Sequence, residues 1–401
     1  MQKIVIVGGG HAASQLCASL AEAGRQGDVT LVSAEPDLPY HRPPLSKAYI
    51  KDAGAALQLL RPESAYAGMA LHLGARVERI DPAARSVTLG TGQSLPYDTL
   101  VLATGTRARR LPGLPDDIGN LHYLRTIGDA RRLRAALADA PSVTVLGGGF
   151  IGLEVAATAA LLGKPVTVFE AADRLLARAA SPEVSQHIAH TLRQAGVALQ
   201  LACGPIQFER QGPRIRALTW QGGTHPVDLL VAGIGAEPET GLAQSIGLAC
   251  DNGIAVDGHL RTADPHIHAI GDCTSFPYAR WNQRLRLESV QNANDQARTL
   301  ARVLLGQDTP PYNALPWFWS DQGALRLQIA GLAPAGAQRL RRPGARPESF
   351  SILHFAQGRL ACVESINAPA DHIAARKLLE KDALPAAEVL ADPAIPLKRH
   401  A

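Results

Sequence analysis

No run in this 401-residue chain approaches the ~20 consecutive apolar residues that a membrane-spanning helix needs. Cysteine is sparse and scattered. The five, at positions 17, 203, 250, 273 and 362, form no C-x-x-C pair, which excludes a disulfide framework and a cysteine-based zinc site. None lies between Cys17 and Cys203, so the early redox disulfide of a thiol-relay enzyme is excluded as well. The thirteen histidines are assigned to no metal. Aromatic residues make up only 4%, so each of the four tryptophans stands out. The first strand-like run starts three residues from the first methionine, leaving no room for a secretory leader, and a cytoplasmic location is expected.

The balance of charge is a modest +4. Arginines cluster at 107, 109 and 110, at 125, 131, 132 and 134, and at 339, 341, 342 and 346. No nucleic-acid motif or aromatic interleaving accompanies them, so nucleic acid is not expected as a partner. Most are expected on solvated faces, and the sharper reading is a basic rim for an acidic protein. With 46% hydrophobic and 19% charged residues, the chain has the profile of a globular protein of two or three domains.

Glycine is where the information is concentrated. Lys3-Ile4-Val5-Ile6-Val7-Gly8-Gly9-Gly10-His11-Ala12-Ala13 and Val143-Thr144-Val145-Leu146-Gly147-Gly148-Gly149-Phe150-Ile151-Gly152 each read as a buried parallel strand, a G-x-G-x-x-G/A turn and a helix start. Such a turn brings the backbone close to a pyrophosphate resting on the helix N-terminus. One match is weak. Two in one chain predict two bound dinucleotides, and the simplest use of two is to pass a hydride between them. The run Pro165-Val166-Thr167-Val168-Phe169-Glu170 puts an acid at the end of the next strand, where a carboxylate accepts from an adenosine ribose and repels a 2′-phosphate. NADH is therefore expected over NADPH. Glu35, after Val29 to Ala34, is assigned the equivalent role in the first unit.

The remaining order predicts short strands over 69–80 and 85–89 and a buried strand over 99–105. A second nucleotide unit follows, with helices over 128–139, 150–162 and 182–195. Strands are expected near 197–201, 206–209 and 214–220, and again over 229–235. The chain then returns to the first unit through 253–257 and 267–272 and a helix over 292–305. Expected domains are 1–110 with 236–310, 111–235, and 311–401. The last carries strands over 324–332, 349–355 and 359–366 and a helix over 370–381. The fold class is α/β: two Rossmann-like domains of glutathione-reductase type plus a C-terminal α+β domain.

The most specific motifs are Pro39-Tyr40-His41-Arg42-Pro43-Pro44-Leu45-Ser46-Lys47 and Leu315-Pro316-Trp317-Phe318-Trp319-Ser320-Asp321-Gln322, with Ala103-Thr104-Gly105, Gly147 to Glu154, and Thr262 through Gly271-Asp272 beside them. On these motifs nearly the whole chain resembles the FAD-dependent pyridine-nucleotide reductases. Within them it resembles the NADH:ferredoxin reductases, of putidaredoxin-reductase type, that serve bacterial oxygenases. The resemblance implies FAD as cofactor and NADH as cosubstrate. It also implies a small acidic [2Fe–2S] ferredoxin as partner, feeding an aromatic-ring dioxygenase or a cytochrome P450.

Position by position, it implies that Gly8, Gly10, Ala12, Ala13 and Glu35 hold the ADP half of FAD, with Ala103, Thr104 and Gly105 turning against it. Arg42, Val77 and Arg125 are further FAD contacts. Gly271 and Asp272 reach the ribityl chain, and Val290 the ring. Gly147, Gly149, Phe150, Ile151, Gly152, Glu170 and Gly235 contact NADH, and Glu154 and Glu288 fall near the nicotinamide. The implied catalytic residues are Lys47 at the flavin edge, Glu154 as its partner, and Trp319 covering the flavin or the route to the partner. Two departures stand out: His41 replaces an acidic residue before Arg-Pro-Pro, and Ala34 replaces the usual ribose acid.

Each of these has a plainer alternative. Lys47 would be a surface residue at a helix start, Trp317 and Trp319 one face of a strand, and Cys273 a small buried residue rather than a redox thiol. An NADH oxidase of the same architecture would carry a redox cysteine near the position of Ser46. A redox-sensing flavoprotein would keep every motif named.

Overall fold

The computed structural model describes residues 2–115, 117–381 and 385–401. They group into two compact units, residues 1–41, 57–107 and 236–316 in one and 42–56, 108–235 and 317–401 in the other.

The first unit is built on five parallel strands in the order Ile267–Ala269, Thr99–Leu102, Ile4–Val7, Val29–Ser33, Ala70–Leu73. The strands Ile4–Val7 and Thr99–Leu102 are buried along their whole length, which is why their sequences read as unbroken apolar runs rather than alternating ones. Helix His11–Glu22 follows the first strand and packs on helix Val290–Leu304, which opens two residues earlier than its apolar pattern suggests because Ser289 caps it. The expected strand over 69–80 is in fact two. Gly74, at φ +68°, breaks it into Ala70–Leu73, on the edge of the parallel sheet, and Val77–Asp81, in a separate three-stranded antiparallel sheet.

The second unit repeats the plan, with parallel strands in the order Val197–Gln200, Val166–Phe169, Val143–Leu146, Leu229–Ala232, Leu121–His122. The two-residue edge strand Leu121–His122 has no signal in the sequence. Its neighbour Asn120 is buried and donates its side-chain amide to the carbonyls of Ile215 (2.8 Å) and Asp228 (3.2 Å), fixing the edge by side chain rather than by pattern.

The same unit carries a five-stranded antiparallel sheet in the order Trp317–Gln322, Leu325–Gly331, Arg359–Ile366, Phe350–Ala356, Gln338–Pro343, with helix Pro369–Leu378 packed on it. The last strand, rich in arginine, is not foreseen from the sequence. Arg341 lies over the Phe350 ring at 4.4 Å, and Arg342 is not on a solvated face at all. It is buried, donates to the carbonyls of Leu390 (3.0 Å), Asp392 and Ile395 (2.8 Å), and pairs with Asp371 at 3.3 Å. One guanidinium with five donors thus ties down the C-terminal segment. The antiparallel sheet meets helix Pro182–Gln194 through three contacts. Glu364 accepts from the Ser181 N–H (2.8 Å), Arg339 pairs with Glu183 (3.1 Å), and His187 lies edge-on to Phe350.

Candidate active site

The two glycine loops are built alike. Gly8 sits at φ +127° and Gly147 at φ +99°, and a Cβ on either would fall 2.1 Å from the Ala103 carbonyl oxygen or 2.4 Å from that of Gly233. Only glycine fits, because each strand end is clamped to its neighbours. The Gly8 N–H donates to Val32 and that of Ala103 to Val7, as the Gly147 N–H donates to Phe169 and that of Gly233 to Leu146.

The helices that follow share a second feature. Helices Ile127–Asp139, Pro182–Gln194 and Val290–Leu304 have their first turns capped by the hydroxyls of Thr126, Ser181 and Ser289. The helices after Gly10 and Gly149 have no side-chain cap hydrogen bond. A Cβ on Gly10 would meet nothing within 4 Å, so the backbone there borders open space. Both ends therefore fit a pyrophosphate, whose oxygens would accept from first-turn N–H groups and whose charge suits the dipole.

In the first unit, Gly271 lies against Ala12, where an added Cβ would come within 3.1 Å of the Ala12 methyl, and this sets Asp272 beside the loop helix. Gln296, which sequence reasoning missed, fixes that turn by accepting from the Gly271 N–H (2.7 Å) and the Thr274 hydroxyl (3.0 Å). Glu35 follows Ser33, whose hydroxyl accepts its N–H at 3.2 Å, and the buried Tyr40 hydroxyl donates to its carboxylate. Thr104 donates to the Glu239 carbonyl at 2.7 Å. Val77 begins the separate antiparallel sheet, Val290 opens its helix, and Glu288 pairs at the surface with Arg286 at 2.5 Å.

In the second unit, the partly buried Glu170 carboxylate accepts from the N–H of Gly148 (2.5 Å) and of Ala172 (2.7 Å), so it closes the loop. Ile151, in the first helical turn, is exposed, and Gly235 sits at φ +110°. One turn further, Glu154 is only 4% exposed. Lys47 Nζ lies 2.7 Å from its Oε2 and also donates to the Pro43 carbonyl at 3.1 Å. Sequence reasoning anticipated this pair. It missed two hydroxyls that complete it: Ser46 Oγ donates to Glu154 Oε2 (2.5 Å) and Ser320 Oγ to Oε1 (2.7 Å). Arg42 donates to the Arg125 carbonyl at 2.9 Å.

Trp317 and Trp319 stack at 5.9 Å on one face of their strand, with Arg376 over Trp317 at 4.3 Å, while Phe318 on the other face meets Phe150 edge-on at 4.5 Å. Burial holds the Cys273 and Cys362 thiols up and pushes Cys17 to about 12, so these thiols are inert packing groups. His187 and His190 stand three residues apart on one helix. Among the described residues, however, no group of three His, Cys, Asp or Glu side chains is disposed to hold a metal ion, and no helix is long and apolar enough to cross a membrane.

Comparison with known proteins assigns the chain to two families. Residues 2–297 match the family described as pyridine nucleotide-disulphide oxidoreductase, and residues 317–401 match the reductase C-terminal family. The chain is 43% identical over 399 residues to rhodocoxin reductase of Rhodococcus erythropolis, covering 98% of this chain and 93% of that one. It is 43% identical over 402 residues to the anthranilate 1,2-dioxygenase system ferredoxin–NAD(+) reductase component of Burkholderia cepacia, covering 98% of each. Among solved structures it is similar to the reductase in a covalent putidaredoxin reductase–putidaredoxin complex, with a TM-score of 0.92, 38% identity, and coverage of 99% of this chain and 97% of that one.

Proposed function

From the chain's membership of the pyridine nucleotide-disulphide oxidoreductase family, with a reductase C-terminal domain, we propose that it takes a hydride from NADH onto FAD and passes the electrons singly to a small [2Fe–2S] ferredoxin that supplies an oxygenase. The observation that carries this reading is the duplication: two parallel sheets, each with a glycine-only strand end and an uncapped helix N-terminus, in one chain. Bound FAD supplies a two-electron acceptor able to release its electrons one at a time.

The chain's own part is binding, orientation and exclusion. The N–H groups after Gly10 hold the FAD diphosphate, with Glu35 on the ribose, Asp272 on the ribityl chain, and Arg42, Val77, Arg125 and Val290 as further contacts. The N–H groups after Gly149 hold the NADH diphosphate, and Glu170 selects the unphosphorylated ribose. Gly235, Ile151 and Glu288 complete that side. Lys47, held by Glu154, supplies positive charge where reduction builds negative charge, and Trp319 shields the reacting atoms from water. The corresponding domains are 1–110 with 236–310 for FAD, 111–235 for NADH, and 311–401 for the C-terminal module. Five free cysteines and dependence on NADH fit the cytoplasm.

An oxidase reading lacks its chemistry here, since Ser46 stands where the redox thiol is needed and the buried thiols are protonated. The test is anaerobic stopped-flow reduction of the purified flavoprotein by NADH and by NADPH, followed by oxidised [2Fe–2S] ferredoxin. Fast flavin bleaching by NADH, then ferredoxin reduction, is expected. Bleaching without transfer to any ferredoxin, or reduction slower than minutes, would move the assignment to an oxidase or a sensor.

A further inference from the structure

The Lys47–Glu154 pair has a third party that comes from another module. Glu154 is a buried carboxylate on the helix that carries the second glycine loop, and a buried carboxylate is tolerated only when donors surround it. Three converge on it: Lys47 Nζ (2.7 Å) and Ser46 Oγ (2.5 Å) on Oε2, and Ser320 Oγ (2.7 Å) alone on Oε1. Lys47 and Ser46 belong to the Arg-Pro-Pro-Leu-Ser-Lys segment. Ser320 belongs to strand Trp317–Gln322 of the reductase C-terminal module and is fully buried.

The direction of its hydrogen bond is set from behind. The buried Gln322 amide donates to Ser320 Oγ at 3.4 Å, so the hydroxyl's single proton is left for Glu154. The strand's alternation puts Ser320 and Phe318 on one face, and that face braces the loop helix twice, at Glu154 and at Phe150. Ser46 and Lys47 hold one carboxylate oxygen and Ser320 the other, so the carboxylate is held from both sides.

We propose that Ser320 is a positioning residue for the hydride step: the C-terminal module, through this hydroxyl, fixes Glu154 and through it the Lys47 ammonium. The inference rests on the reading that Lys47 stands at the flavin. It assigns the C-terminal module a part in the first half-reaction, in addition to any part in meeting the electron acceptor.

The test is the holoprotein with Ser320→Ala, Glu154→Gln and the double variant. The readouts are the flavin reduction rate at saturating NADH, the NADH dissociation constant, and the FAD midpoint potential. Ser320→Ala is expected to slow reduction about tenfold, the scale of one hydrogen bond to a buried charge, with NADH affinity changed less than about twofold. The potential is expected to fall, because a carboxylate with one donor fewer offsets more of the lysine's charge. Ser320→Cys, which keeps a weak donor at similar volume, should recover part of the rate and supplies the measurement should the alanine variant fold poorly. In the Glu154→Gln background Ser320→Ala should do nothing further. If Glu154→Gln itself moves neither rate nor potential, the placement of the pair at the flavin is wrong. If Glu154→Gln moves both but Ser320→Ala leaves them at wild-type values, or acts equally in both backgrounds, Ser320 is packing and the proposal is overturned.

Discussion

On the proposed reading Glu170 does two jobs with one carboxylate, and replacing it by glutamine separates them. In the protein its oxygens accept from two N–H groups, Gly148 at 2.5 Å and Ala172 at 2.7 Å. A glutamine has one acceptor oxygen, so one of these N–H groups loses its partner, at a cost of about 1–3 kcal/mol if it stays dry. The second effect is electrostatic. Unit charges 4 Å apart interact by about 1 kcal/mol in bulk water and about 4 kcal/mol at the effective dielectric of a protein surface. For a partly exposed carboxylate facing a 2′-phosphate this penalises NADPH by about fivefold to a thousandfold. Glu170→Gln should therefore lower kcat/KM for NADH modestly and collapse the NADH-to-NADPH preference by about fivefold or more, chiefly through the KM for NADPH. The assay is steady-state ferredoxin or dye reduction with both nucleotides at two ionic strengths. Salt should erode the wild-type preference and leave the variant's ratio nearly flat. A variant with the wild-type preference would refute the argument, since it would show that discrimination is set elsewhere.

Three further outcomes follow from other parts of the molecule. Gly8→Ala should yield protein that retains no FAD, because its Cβ would sit 2.1 Å from a carbonyl at a positive φ; a yellow variant with wild-type FAD affinity would contradict this. Burial, with Arg261 beside His268 and with Arg376 and Arg326 beside His372, holds both histidines down to about 4. The unfolded chain then binds protons that the folded one does not, so stability is intact above about pH 6.5 and is lost as the pH falls towards 4, with roughly 2 kcal/mol lost per histidine by pH 5. Urea midpoints at pH 8 and 5 should show the loss and His372→Gln should reduce it; equal losses in both proteins would count against it. Glu364→Ala strands the buried Ser181 N–H (2.8 Å) and should cost about 1–3 kcal/mol in urea unfolding, whereas a loss under about 1 kcal/mol would show that water enters.

What was legible in the sequence follows from how local its cause is. The glycine loops, the parallel strands and Glu170 were read because each depends on a few neighbouring residues: a φ that only glycine adopts, a run buried on both faces, an acid at a strand end. The arginine-rich strand Gln338–Pro343 was not, because its arginines are placed by Phe350 and by the carbonyls of Leu390, Asp392 and Ile395, all distant in the chain. The Lys47–Glu154 pair was anticipated from the family resemblance, while burial alone says only that an acid on an apolar helix needs a partner. The resemblance names one partner and stops. Ser320 lies 166 residues from Glu154, and a serine in a strand of tryptophans carries no signal of its own. What distinguishes it is that its neighbours leave it one proton and one acceptor, a fact of packing. The serine at position 46 is different. There the residue type itself is informative, because a thiol would offer redox chemistry while a hydroxyl offers only a hydrogen bond, and in this protein that bond goes to the same carboxylate that Ser320 holds from the other side. On the proposed reading, the two serines suit the site to holding a fixed charge rather than to carrying electrons itself.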